Sequence, residues 1–192
     1  PQPHIKRKQW QLITTASSDQ PLKGLSILLN ALAILRVEFT QLTLVVIGKL
    51  KPEGATEKEL HSLKLMEAIE FRSGISTEEL VATYAESKLA IVPSLYEGFG
   101  LPAAEALACG IPLICSDGGA LPEVVGDAAY LVRAGDVNQL AQAIRDLLTD
   151  EDSCNRLSIA GRVHSLQHLS WQVVGERFSD YYRNILTNAR ST

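Results

Sequence analysis

Two carboxylates, one lysine and a glycine turn are the residues here whose types and spacing could do chemistry. Glu97 and Glu105 flank Gly98-Phe99-Gly100-Leu101-Pro102 with seven residues between them. The stretch follows Leu89-Ala90-Ile91-Val92, a short apolar run that reads as a buried strand. Pro102 suits a first helical position and an Ala/Leu-rich run follows, so strand, glycine turn and helix N-terminus come in that order. Backbone N–H groups gathered there favour an anionic ligand. Gly98 and Gly100 would let a phosphate approach without a Cβ in the way, although two glycines after a strand also suit an ordinary tight turn. Glu97 and Glu105 would repel a bare phosphate but accept hydrogen bonds from hydroxyls. Lys23, beside Gly24 at the start of a long helix, could neutralise a phosphate; its plain alternative is a solvated lysine. Glu105, expected in the first turn of its helix, could instead simply complement the dipole.

These groups need a frame. Short apolar runs at 11–15, 42–47, 69–71, 89–92, 113–116 and 129–132 read as strands, and amphipathic segments between and after them read as helices. Among the helices, 25–37 carries Leu25, Leu28, Leu29, Leu32 and Leu35 at helical spacing, Ser76 or Thr77 caps 78–86, and Asp136 caps 137–149. Helices are also expected at 56–66, 101–108, 120–125, 151–167 and 170–186. Regular alternation predicts an α/β, doubly wound, parallel six-stranded sheet of Rossmann-like type with extra C-terminal helices. In its commonest strand order the first and fourth strands meet at the switch point, so the loops at 16–24 and 93–100 border one crevice.

Composition narrows the classes of function. The chain has 192 residues, a net charge of −4, 46% hydrophobic and 21% charged residues, ordinary for a globular domain and unlike a general nucleic-acid surface. No apolar run is long enough to span a membrane. Cys109, Cys115 and Cys154 lack CxxC spacing and read as reduced thiols of a cytoplasmic protein. His164 and His168 stand at i, i+4 without a third ligand at metal spacing, which fits a surface helix better than a metal site. The start at Pro1, without Met, suggests a piece of a longer chain. Residues 1–10 read as a lead-in, 11–169 as the binding domain and 170–192 as a further helix. Gly98-Phe99-Gly100-Leu101-Pro102-Ala103 formally fits a dinucleotide fingerprint, but it falls after the fourth strand, with Glu97 directly before it.

Pro93-Ser94-Leu95-Tyr96-Glu97-Gly98-Phe99-Gly100-Leu101-Pro102, then Glu105 through Pro112, Gly118-Gly119-Ala120-Leu121-Pro122-Glu123 and Ala134-Gly135-Asp136 together resemble the carboxy-terminal, donor-binding domain of retaining glycosyltransferases of family GT4, with the GT-B fold. The resemblance covers nearly the whole chain. It implies a nucleoside diphosphate sugar as substrate, with no cofactor and no metal. Lys23 would meet the donor diphosphate, with Ser17 in the same loop, and Glu97 the transferred sugar. The backbone of Gly98, Phe99, Gly100 and Leu101 would hold the distal phosphate, Glu105 the ribose, and the segment holding Gly74 and Ser76 the nucleobase. An N-terminal acceptor-binding domain, packed against the last helix and able to touch a membrane, would complete the enzyme; without it, transfer would be slow or absent. The sequence departs from the family where many members carry an arginine five or six residues before the lysine: Ser18 and Ser17 stand there. A non-catalytic nucleotide-sugar module and a UDP-hexosamine epimerase-like enzyme are the alternatives, the E-x7-E spacing favouring the transferase.

Overall fold

Side chains alternate along each strand, so a sheet covered on both faces must present apolar groups to both sides. In the computed structural model, which describes residues 5–189, that is what the strand sequences do. Leu12, Leu44, Val46, Leu89, Ile91 and Ile114 face one core, while Ile13, Ala90, Val92, Leu113 and Cys115 face the other. The strands are β1 (Lys8–Thr15), β2 (Thr43–Ile47), β3 (Ile69–Arg72), β4 (Ser87–Val92), β5 (Leu113–Ser116) and β6 (Tyr130–Val132). They form one parallel sheet in the order β3-β2-β1-β4-β5-β6. The chain leaves β1 in one direction and returns to its other side at β4, opening the expected crevice between their carboxyl ends.

The helices are α1 (Leu25–Leu35), α2 (Ala55–Ser62), α3 (Thr77–Glu86), α4 (Leu101–Cys109), α5 (Leu121–Val125), α6 (Val137–Thr149), α7 (Glu151–His164) and α8 (Trp171–Ala189). Buried leucines of α1 and α6 fill the first core, and Ala103, Ala106 and Leu107 of α4 help fill the second. Two expected caps form: Ser76 makes a reciprocal capping box with Glu79, and Asp136 accepts from Gln139 N at 2.9 Å.

Two differences from the expectation have local causes. The lead-in is shorter than residues 1–10, because β1 starts at Lys8, which pairs with Ser87 ahead of a register shift and holds Glu86 at 2.6 Å. Arg7 donates to the carbonyl oxygen of Gly110 at 2.6 Å, tying that segment to the domain, whereas residues 1–4 lie outside the described residues. Helix α7 ends at His164 rather than 167, giving way to a π-helical segment, Ser165–Leu169. Residues 190–192, within the segment assigned to the last helix, also lie outside the described residues. Helix α8 leaves Trp171 90% exposed, with Phe178, Tyr181 and Tyr182 exposed beside it.

The crevice depends on one close approach. Gly24, the N-cap of α1, has φ +67°, and a Cβ there would lie 1.9 Å from the carbonyl oxygen of Pro93. Leu95 N donates to Leu22 O at 2.8 Å just alongside. A side chain at Gly24 would need both a left-handed backbone and displacement of a second backbone. Gly24→Ala is expected to cost at least about 2 kcal/mol, read from the urea midpoint, compared with under about 0.5 kcal/mol at an exposed position. An unchanged midpoint would show that the two loops part freely.

Candidate functional site

The loop after β4 is shaped by its neighbours. Ser116 Oγ, at the end of β5, donates to the carbonyl oxygen of Ser94. Ala120 N donates to Glu97 O at 2.9 Å. The Gly118-Gly119 pair lies directly under this turn: a Cβ on Gly118 would be 2.6 Å from Ser94 O, and one on Gly119 2.3 Å from Glu97 O. Loops from β1, β4 and β5 therefore converge on Glu97.

Glu97 is buried, at 8% exposure, and paired. Lys23 Nζ donates to its Oε1 at 2.8 Å, and Ser94 Oγ donates to the same oxygen at 2.9 Å. Its Oε2 takes no hydrogen bond from the described residues and is not fully enclosed. The carboxylate thus has one oxygen committed and one available to a ligand hydroxyl. Sequence reasoning placed Lys23 and Glu97 at one crevice but did not foresee their ion pair, which joins residues far apart in the chain. The pair also gives Glu97 a structural reason beyond ligand binding.

Glycine shapes the next part of the turn as well. Gly100 is the N-cap of α4 at φ +93°, with the Leu121 side chain 2.7 Å from where a Cβ would stand. It offers no side chain to cap the helix, and Pro102 carries no N–H. Among the described residues, the N–H groups of Gly98, Phe99, Gly100 and Leu101 have no hydrogen-bond partner. Four open donors at the positive end of a helix can receive an anion.

Glu105 differs from its expectation. It lies in the second turn of α4, since the first turn holds no acidic residue, so a role in complementing the dipole is weaker than foreseen. It is exposed and makes no hydrogen bond or ion pair among the described residues. Partial desolvation by its surroundings pushes its carboxyl above the ordinary range. Its charge helps to raise the Tyr84 phenol, whose larger cause is burial. Tyr84 OH itself lies 3.3 Å from Thr15 Oγ1 at the end of β1.

The remaining positions fall around the rim. Ser17 is exposed, and Ser18 Oγ accepts from Lys51 N at 2.8 Å, tying the β1 loop to the one after β2. Gly74 has φ +68° with open space around it, and Ser76 spends its hydroxyl on the α3 cap. The three cysteines are free thiols; burial pushes Cys115 up to about 12. No three His, Cys, Asp or Glu side chains are gathered as a metal would need, among the described residues. Nor is any described helix long and apolar enough to cross a membrane.

Two measurements test this geometry. Lys23→Met and Glu97→Gln, singly and together, are expected to show a coupling energy of about 1–3 kcal/mol, because the pair shares a buried oxygen; additive costs would mean that the two groups act separately. Glu105 has a raised carboxyl, so its ionisation opposes folding once pH exceeds the unfolded value, and the cost is complete above the folded value. Glu105→Gln should therefore raise the melting temperature at pH 7, with the gain gone below pH 4. An equal gain at both values would remove the carboxylate as its cause.

Comparison with known proteins follows the same lines. The sequence family described as glycosyl transferases group 1 matches residues 1–164. An MMP alpha-(1->4)-mannosyltransferase of Mycolicibacterium hassiacum is 42% identical over 188 residues, 96% of this chain and 46% of that protein. A GDP-mannose-dependent alpha-(1-6)-phosphatidylinositol monomannoside mannosyltransferase of Mycolicibacterium smegmatis is 30% identical over 169 residues, 83% of this chain and 44% of that one. The structure of a sucrose-phosphate synthase from Thermosynechococcus elongatus superposes with a TM-score of 0.80 at 27% identity, covering 93% of this chain and 46% of that one. The chain spans about half the length of these relatives. With a parallel six-stranded GT-B-type half and a family match over most of its length, the chain belongs to the group 1 glycosyl transferases.

Proposed function

We propose that this chain is the donor half of a retaining, metal-independent mannosyltransferase that takes its sugar from a nucleoside diphosphate mannose, with GDP as the favoured carrier. The observation that carries this is Glu97, with one oxygen held by Lys23 and Ser94 and the other open beside four unpartnered backbone N–H groups. A diphosphate suits the N–H groups and Lys23, while hydroxyls suit the two glutamates. The relatives' names, mannosyltransferases and in one case GDP-mannose-dependent, support the choice of sugar and base.

In this proposal Lys23 leaves Glu97 for the diphosphate as the donor enters, and both Glu97 oxygens become acceptors for sugar hydroxyls. The bond between the anomeric carbon and the diphosphate breaks while the acceptor oxygen bonds on the same face. The acceptor's proton passes to a phosphate oxygen of the leaving group. Lys23 and the N–H groups of Gly98, Phe99, Gly100 and Leu101 stabilise the growing charge there by electrostatic preorganisation. Glu105 holds the ribose, and Gly74 with the Ser76 backbone borders the base. With Ser17 and Ser18 where a second cation would stand, the backbone carries more of the phosphate charge. The acceptor is held by a further N-terminal domain of the full-length chain, so this half alone binds donor but transfers slowly or not at all. The free thiols agree with a cytoplasmic setting.

Thermal melting tests the proposal. A nucleoside diphosphate at 100 times its Kd stabilises by about 2.7 kcal/mol, or about 5–10 °C for a domain of this size. GDP and GDP-mannose should give such a shift at lower concentrations than UDP or ADP, with EDTA making no difference. Lys23→Ala and Glu105→Ala should lose most of it. Absence of any shift with GDP, UDP or ADP at millimolar levels would overturn the proposal.

A further inference from the structure

Glu97 Oε1 has two donors of different kinds. Lys23 reaches it from the β1 loop on a long side chain that is 32% exposed and can swing to another acceptor. Ser94 belongs to the same loop as Glu97, three positions before it, and is 2% exposed. One donor is exchangeable and the other is built in.

Ser94 is itself held from the neighbouring strand. Ser116, buried at the end of β5, donates its hydroxyl proton to the carbonyl oxygen of Ser94. Ser116 Oγ in turn accepts from Gly118 N at 3.4 Å, which fixes the direction of that hydroxyl. The Ser94 carbonyl is therefore occupied. The one proton on the Ser94 hydroxyl goes to Glu97. None of these bonds involves the β1 loop, so all of them survive a movement of Lys23.

Charge makes the built-in donor matter. A buried carboxylate that loses its last donor bears the whole cost of desolvation, whereas losing one of two costs much less. An incoming diphosphate competes for Lys23. With Ser94 in place, Glu97 keeps a charge-assisted hydrogen bond after the lysine has gone.

We infer that Ser94, aimed by Ser116, is a positioning residue for sugar transfer: the standing donor that lets Lys23 pass from Glu97 to the donor diphosphate. It acts through Glu97, whose Oε2 it keeps turned toward the incoming hydroxyls. The assignment rests on the donor site proposed above.

Titration calorimetry of the 192-residue chain with GDP and with GDP-mannose tests the inference. Ser94→Ala should weaken GDP binding by about tenfold or more, because Lys23 can then leave only by stranding Glu97. GDP-mannose should lose at most about threefold, since its hydroxyls replace the missing donor. In a Lys23→Met background nothing is withdrawn from Glu97, so Ser94→Ala should change GDP affinity by less than about twofold. A role confined to the shape of the turn would weaken both ligands alike, with or without Lys23. Should Ser94→Ala not fold, Ser94→Cys takes its place. A thiol is a weaker donor of nearly the same shape and should cost GDP about threefold or more. The inference is overturned if the variant binds GDP as the parent does, if GDP-mannose loses as much as GDP, or if the loss persists without Lys23. With the parent binding GDP, any of these results removes the role of Ser94 and leaves the donor site standing. A parent that binds neither ligand removes the donor site, and the inference with it.

Discussion

The site depends on the β1 loop and the β4 loop meeting without a side chain between them. Gly24 lets the start of α1 press against the carbonyl of Pro93, and the Leu95–Leu22 backbone bond holds the two strands' ends in register. Only this approach allows a short excursion from one loop, Lys23, to reach a buried carboxylate on the other. A cation at the start of a helix is mildly opposed by the helix dipole, and Glu97 offsets that opposition. The ion pair is thus a consequence of backbone packing and cannot be separated from it.

Much of the frame was legible because the strands are continuous apolar runs and the helices have strong caps. Leu113–Ser116 and Val137–Thr149 form where the pattern puts them, as does the Ser76 cap. The misplaced boundaries lie where local sequence is ambiguous. Lys8 and Gln9 are polar and belong to β1 only because β4 lies beside them. The switch to a π turn after His164 is a change of winding that no helical period reveals.

The site was legible in its residue types and less so in its connections. Lys23, Glu97 and the glycine turn could be named because their chemistry is local, but the shared Oε1 joins partners 74 positions apart in the chain. Glu105 sits a turn deeper in α4 than the proline suggested, which weakens the dipole explanation and leaves an exposed carboxylate without a protein partner.

Charge balance ties these parts together. Without a ligand, the cation and the buried carboxylate neutralise each other, so neither is left uncompensated in a partly desolvated crevice. The unpartnered N–H groups carry only partial charge. A ligand that only removed Lys23 would leave Glu97 exposed to the full penalty of burial with Ser94 as its remaining donor. One that also brings hydroxyls to the freed oxygens compensates for what it takes. The same two side chains therefore stabilise the empty fold and discriminate against a bare anion.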